Sequence, residues 1–386
     1  MRKTATLLGS AVMIAAFAAP ATAAVGEIRV SPGENIAGSF IVKLKDGGVT
    51  ASAQTLGSRF GGQVGYVYDT VFQGFSVKMS DAQARRLAAD PSVEYVERDQ
   101  VVSIQATQVN PPSWGLDRID QRNLPLDQRY TYNSTGSGVN AYIVDTGVRI
   151  THRDFGGRAR NGYDFVDNDA VAQDGNGHGT HVAGTVAGTL HGVAKQANII
   201  AVRVLNNSGS GTIAGVVAGV NWVASNHVKP AVANMSLGGG ANTSLDNAVS
   251  GAITRGVTFA VAAGNSNTNA ANTSPARVAA ALTVGSTERT DARSSFSNYG
   301  PVVDVFAPGG GITSAWNTSD TATNTISGTS MASPHVAGVV ARYLQGNRNV
   351  TPAQVATAIT SNATNGKVTN PGANTTTRLL YWPPTS

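Results

Sequence analysis

Ala141-Tyr142-Ile143-Val144-Asp145-Thr146-Gly147 is an apolar run that ends on a carboxylate and a turn-forming pair. So short a run, closed by Gly, reads as a strand buried on both faces, over residues 139–144. Downstream of it, strand-like runs at 199–205, 232–235 and 257–262 alternate with helix-like runs at 181–189, 213–225, 245–253 and 330–344. This alternation predicts an α/β fold: a doubly wound, mostly parallel sheet with helices on both faces. Functional groups in such sheets collect beyond the carboxyl ends of the strands, where Asp145 lies. Taken alone, Asp145 is equally a turn former ahead of Thr146-Gly147.

Upstream the pattern differs. Strand-like runs at 39–44, 64–68, 75–79 and 93–97 enclose helix-like runs at 52–59 and 80–89. That β-α-β-β-α-β order is the arrangement of a small ferredoxin-like α+β domain. Ahead of it, Arg2 and Lys3 precede an apolar run over 7–19 and the small residues Ala21-Thr22-Ala23. Residues 1–23 therefore read as a signal peptide, 24–105 as a separate small domain and 106–386 as the main domain. The apolar run is too short to span a bilayer, so the expected mature protein is exported, soluble and free of the membrane.

Composition narrows the function. Of the 386 residues, 41% are hydrophobic and 13% charged, enough to build a core. The net charge of +5 is scattered along the chain, which gives no stripe for nucleic acid. With no cysteine, a disulfide framework, a thiolate nucleophile and a thiolate metal site are excluded. An exported chain without disulfides needs another brace, and a metal bound through oxygen is the candidate.

Three segments carry the chemistry. His178 lies in Asp174-Gly175-Asn176-Gly177-His178-Gly179-Thr180-His181, at the start of an apolar helix with little bulk beside it, as suits a general base. His178 and His181 also have a metal-like spacing, but the zinc-protease pattern needs a Glu that is absent; His181 reads as a structural, hydrogen-bonded histidine. Ser330, in Gly328-Thr329-Ser330-Met331-Ala332-Ser333-Pro334-His335, opens a helix, where free N–H groups favour a nucleophile and where a plain cap is also common. The order Asp, His, Ser differs from the Ser, Asp, His order of lipases and esterases, and Ala332 stands where their Gly-x-Ser-x-Gly pattern needs glycine.

Taken together, Tyr142 to Gly147, His178 to Gly184 and Gly328 to His335 resemble the three signatures of the subtilisin-like serine proteases. Trp114 to Arg122, Ala233 to Gly240 and Ser295 to Gly300 are similar to the proteinase K branch and its aqualysin-like members. The resemblance implies a secreted serine endopeptidase with Asp145, His178 and Ser330 as triad and Asn265 as oxyanion donor. It implies that Gly209, Ser210, Gly211, Ser236, Leu237 and Gly238 clamp an extended peptide by strand addition. Gly238, Gly239, Ala262, Ala263 and Gly264 would line a roomy apolar pocket, giving broad specificity on protein and peptide substrates. Residues 24–105 would be an inhibitory propeptide, ending in the extended tail Val101-Val102-Ser103-Ile104-Gln105 and removed by self-cleavage before Ala106. A monomer is expected. The alternative is a catalytically inactive secreted binding module on the same fold.

Structural calcium is also implied: one site at Asp304 with the carbonyls of Ala279 and Ala281, and a second at Asp117, Asp120, Gln121 and Asp127. Asp164, Asp167 and Asp169 form a further acidic loop, either an ion site or a solvated turn. The chain departs from the family at Gly175, Asn207, Ala271 and Val302, where many relatives carry cysteines. Many relatives also carry a C-terminal extension beyond the point matching Leu379-Leu380-Tyr381, whereas this sequence runs only to Ser386.

Overall fold

Residues 25–30, 35–45, 51–100 and 106–384 are described by the computed structural model. The signal segment expected at 1–23 and the tail at 101–105 lie outside the described residues. The chain divides into two units, residues 1–102 and 103–386.

The first unit is ferredoxin-like. Its sheet runs, in spatial order, Ile28–Arg29, Val93–Gln100, Asn35–Leu44, Gly74–Lys78 and Gln63–Tyr68. The four longer strands pair antiparallel, and Ile28–Arg29 adds a parallel edge. Phe40, Val42, Phe75, Val77 and Val96 share a core with Leu56, Ala84 and Leu87 from the two helices, Ala51–Arg59 and Asp81–Ala88. Ser80 caps the second helix with Gln83 in a reciprocal capping box, so it stands just outside the helix it starts.

In the second unit seven strands form an all-parallel sheet. Its order is Val305–Pro308, Leu282–Thr287, Thr258–Ala262, Ala231–Met235, Asn140–Asp145, Asn198–Arg203 and Ala159–Asp164. Alternate side chains go to opposite faces. Ala141, Ile143, Ile199, Ala201 and Val232 pack with helices His178–Ala187 and Thr329–Gly346. Tyr142, Val144, Ile200, Val202 and Phe259 pack with helices Ile213–Asn226 and Thr243–Thr254. Both faces are thus buried, which is why these strands read as continuous apolar runs. Each fully buried Val or Ile is worth about 1.5–3 kcal/mol relative to exposure.

The chain order reverses between Asn140–Asp145 and Ala231–Met235: strands early in the chain lie on one side, later ones on the other. A crevice opens at such a reversal, beyond the carboxyl ends of the strands. Three strands of the main sheet and one long helix were among the elements outside the sequence reading. Ala159–Asp164 is a polar edge strand, Val305–Pro308 is only four residues long, and Leu282–Thr287 is interrupted by Gly285. Helix Pro352–Asn362 did carry a readable start, the capping box of Thr351 and Gln354 with Pro at the first position.

Two of the positions where the family resemblance leads cysteine to be expected face each other. A Cβ added to Gly175 would lie 2.2 Å from Oδ1 and 2.4 Å from Cγ of Asn207. The double variant Gly175→Cys/Asn207→Cys is expected to form a disulfide and gain about 2–4 kcal/mol. Melting temperatures under oxidising and reducing conditions check this; an equal or lower oxidised value would refute it.

Candidate active site

Asp145 ends the central strand and is fully buried. Its Oδ1 accepts hydrogen bonds from His178 Nδ1 at 2.7 Å and from the N–H of Thr146 at 2.7 Å. His178 is the first residue of helix His178–Ala187, and 24% of its side chain is exposed. Burial disfavours the imidazolium, but the charge and hydrogen bond of Asp145, with Asp174 beyond, outweigh it and raise the His178 pKa above 6.5. Since Nδ1 donates to Asp145, Nε2 is left as the basic lone pair.

Ser330 is the second residue of helix Thr329–Gly346. Pro334 has no N–H to bond the carbonyl one turn back, that of Ser330. The hydroxyl of Ser236 takes that place, donating to the Ser330 carbonyl at 2.7 Å, and Asn234 in turn donates to Ser236 Oγ at 2.8 Å. The Ser330 hydroxyl donates to the carbonyl of Ser236 at 3.1 Å. The helix start and the end of strand Ala231–Met235 are therefore joined by a reciprocal pair of bonds.

Asn265 follows strand Thr258–Ala262. Its Oδ1 accepts from both the N–H and the hydroxyl of Thr329, each at 2.8 Å, which fixes which amide atom is oxygen and turns Nδ2 the other way. A Cβ on Gly328 would lie 3.6 Å from Asn265 Nδ2 and equally 3.6 Å from Ser330 N. Two N–H donors thus border one small space beside the serine. Gly264 makes the turn with φ +104°, and any side chain there would run into Asn298 Nδ2, 2.4 Å from the Cβ position.

A groove of about 560 Å³ runs past His178 between two irregular segments, Ser208 to Thr212 and Ser236 to Gly239. The expected binding residues Gly209, Ser210, Gly211, Ser236, Leu237 and Gly238 all line it. Ser208 to Thr212 and Ser236 to Gly238 lie outside any sheet, and Gly239 begins a short antiparallel ladder with Ser274. A second hollow of about 430 Å³ is lined by Gly238, Gly239, Ala262, Gly264, Asn265, Asn298 and Ser330. Ala263 does not line it. It is fully buried behind the wall, and its carbonyl accepts from Asn298 Nδ2 at 2.8 Å. Asn298, whose Oδ1 also accepts from the N–H of Ser266 and of Thr268, is the wall residue the sequence reading missed.

His181 is structural, as expected. It is fully buried, its Nε2 bonds the carbonyls of Ile312 and Asn324, and burial pushes its pKa down to about 3. The acidic loop is no ion site: the Arg203 guanidinium occupies it, 2.6 Å from both Asp164 and Asp167.

Among the described residues, no group of three or more His, Cys, Asp or Glu is arranged to hold a metal ion. The four residues of the expected second calcium site have other work. Asp117 accepts from the N–H of Asp127 and Gln128, Asp120 from Thr131 and Asp127 from Arg129, while the Gln121 amide donates to the Asn123 and Pro125 carbonyls. They close the turn between Asp117 and Thr131. These bonds leave the cluster short of positive charge, for burial and the charges of Asp117 and Asp127 push the Asp120 pKa up to about 7. Asp304 is in the same position. Burial pushes its pKa up to about 6, against the Thr283 N–H at 2.8 Å and the charge of Arg378, so its anion is undercompensated. An anionic oxygen of this kind suits a hard cation.

Residues 136–377 match the model of the subtilase family, peptidase S8, and residues 39–105 that of the peptidase inhibitor I9. An extracellular serine proteinase of Thermus sp. (strain Rt41A) is 56% identical over 337 residues, covering 87% of this chain and 82% of the relative. Alkaline serine exoprotease A of Vibrio alginolyticus is 57% identical over 325 residues, covering 83% of this chain and 60% of that longer protein. Among solved structures, a cold-adapted subtilisin-like serine proteinase is 61% identical with a TM-score of 0.68, covering 69% of this chain and 97% of the other. The chain belongs to the subtilase family and is a serine endopeptidase of the proteinase K and aqualysin type, preceded by an I9 inhibitor segment. An inactive binding module is not favoured.

Proposed function

We propose that Asp145, His178 and Ser330 are the triad of this endopeptidase, and that Asn265 Nδ2 and the Ser330 N–H hold the oxyanion. The observation that carries this is the 2.7 Å bond from His178 to a buried Asp145, with Ser330 at a helix start beside the two donors. On substrate binding the Ser330 hydroxyl turns from the Ser236 carbonyl toward His178. Nε2 takes its proton as Oγ bonds to the peptide carbonyl carbon, and the carbonyl oxygen becomes the anion held by the two donors. His178 then passes the proton to the leaving amine, the C–N bond breaks, and an acyl-enzyme remains. Water repeats the sequence to release the acid. Main-chain groups of Ser210, Gly211, Ser236, Leu237 and Gly238 hold the substrate as an added strand, reading backbone more than side chain. The second hollow takes a large apolar side chain before the scissile bond.

Calcium, common in this family, would be held by Asp304 with the Ala279 and Ala281 carbonyls, where it neutralises a buried anion. Residues 1–23 direct export, which the names of the extracellular relatives support. Residues 24–105 act as propeptide and intramolecular inhibitor, in keeping with the inhibitor I9 match and the division of the chain near residue 102. The mature enzyme is a secreted monomer beginning at Ala106. Among the described residues no helix is long and apolar enough to cross a membrane.

Ser330→Ala is expected to abolish hydrolysis of a chromogenic peptide. Asn265→Ala is expected to lose about 100- to 1,000-fold in kcat, the loss known for removing such a donor from subtilisin. His178 must be neutral to accept the proton, so kcat/KM should fall as pH drops, with a midpoint above 6.5. Substantial activity in Ser330→Ala sinks the mechanism.

Calcium should raise the melting temperature, and Asp304→Ala should remove that effect. A carboxyl whose folded pKa is raised to about 6 from 3.8 costs stability as pH rises through that interval, and the cost is complete above it. The calcium effect should therefore grow between those values and level off above pH 6. Identical melting with calcium and with chelator at neutral pH would remove the claim.

Edman sequencing of the secreted enzyme should read Ala106-Thr107-Gln108, and purified Ser330→Ala precursor should stay uncut. A start far from Ala106, or normal processing of that variant, refutes self-cleavage there.

A further inference from the structure

The side chain of Asp174 is buried, 3% exposed, and accepts five hydrogen bonds. Its Oδ1 takes the N–H of Asn176 at 2.9 Å, the N–H of Gly177 at 2.8 Å and the hydroxyl of Thr146 at 2.9 Å. Its Oδ2 takes the N–H of Thr180 at 2.9 Å and the Thr180 hydroxyl at 2.6 Å. All five donors are neutral, so this buried charge is balanced by dipoles.

The donors are informative. Helix His178–Ala187 starts at Gly177, which has φ +111° and no side chain to cap with. The free N–H groups of a first helical turn need a partner: that of Thr180 goes to Asp174, that of Gly179 to Thr146 and that of His178 to Asn176 Oδ1, while Asp174 also holds the two N–H groups just before the helix. Thr146 is the other half of the device. Its N–H donates to Asp145 Oδ1 at 2.7 Å, its hydroxyl donates to Asp174, and the same oxygen accepts the N–H of Gly179 at 2.9 Å. One threonine thus touches the carboxylate partner of His178, the residue after His178, and the cap of its helix.

More than thirty residues, including the 3-10 turn Arg153–Phe155 and the edge strand Ala159–Asp164, separate Asp145 from His178, and the Thr146–Asp174 bond joins the two ends directly. We propose that Asp174, acting through Thr146, is the positioning residue that locks His178 onto Asp145, and that its charge is a second anion favouring the imidazolium formed during the reaction. This rests on the triad assignment above. The titratable groups facing His178 are Asp145 from the strand, Asp174 from the preceding turn and His181 one turn on; His181 is kept neutral by burial and so adds no opposing charge near neutrality. Asp174 raises the His178 pKa, after the two contributions of Asp145.

Asp174→Asn keeps the shape but removes the charge, and turns an amide N–H₂ toward groups that are themselves donors. Assayed on a chromogenic peptide and normalised to folded protein by near-ultraviolet circular dichroism, it should lose about 100-fold in kcat, the scale of a misplaced catalytic group, with KM little changed. The acid limb of its kcat/KM profile should move to lower pH, because the imidazolium has lost a stabilising anion. A wild-type kcat and an unmoved limb, with only a lower melting temperature, would reduce Asp174 to a structural cap and overturn the proposal.

If Asp174→Asn does not fold, Thr146→Val and Thr146→Ser decide. Valine removes the bridging hydroxyl while Asp174 keeps its charge, so kcat should fall while the limb stays; serine should restore kcat. Equal kcat in the two would overturn the proposal. Ser330→Ala run alongside separates the cases: if it is active, the triad reading has failed, and if it is dead while both other tests are negative, only the role of Asp174 has failed.

Discussion

All seven strands of the main sheet point the same way, and this one constraint assembles the site. Parallel strands joined by crossover helices bring every carboxyl end to one edge, whatever the spacing in the chain. Asp145 ends one strand, Ser236 follows its neighbour, and Asn265 follows the next. His178 and Ser330 begin helices that return along the same face of the sheet. Residues far apart in sequence thereby meet at the point where the strand order reverses.

At that edge the protein uses backbone polarity as much as side chains. Pro334 frees the Ser330 carbonyl, and Ser236 satisfies it. Thr329 spends its N–H and hydroxyl on Asn265 Oδ1, which leaves the amide N–H₂ directed at the serine. Asp174 accepts the N–H of Thr180 in the first turn of the His178 helix and those of Asn176 and Gly177 just before it. Each device removes a degree of freedom from a reacting group before substrate arrives, which is where much of the rate enhancement of such a site originates.

The chain has no cysteine, so rigidity has to come from packing and buried polar groups. Arg203–Asp164, between neighbouring strands, and Arg118–Asp291, between a short helix and a loop, are largely buried ion pairs. Asp120 and Asp304 are exceptions, carboxylates that burial leaves undercompensated by their neighbours.

The sequence by itself carried the fold class and the local motifs that hold the four residues proposed to react. Both faces of the central strands are apolar, so 140–145, 198–203, 231–235 and 258–262 stand out as continuous hydrophobic runs, and the triad lies in local motifs dense with glycine. It also carried the ferredoxin-like order and the structural role of His181. Edge strands such as Ala159–Asp164 were not legible, because a strand with one neighbour carries little hydrophobic signal. Only the tertiary structure decided that Asn298, not Ala263, lines the hollow, that Arg203 fills the acidic loop, and that Asp117, Asp120, Gln121 and Asp127 close a turn. Asp174 and Thr146 belong with these. Their roles depend on which buried donors point at them, and such convergence is set by packing between distant segments, which leaves no pattern in the chain.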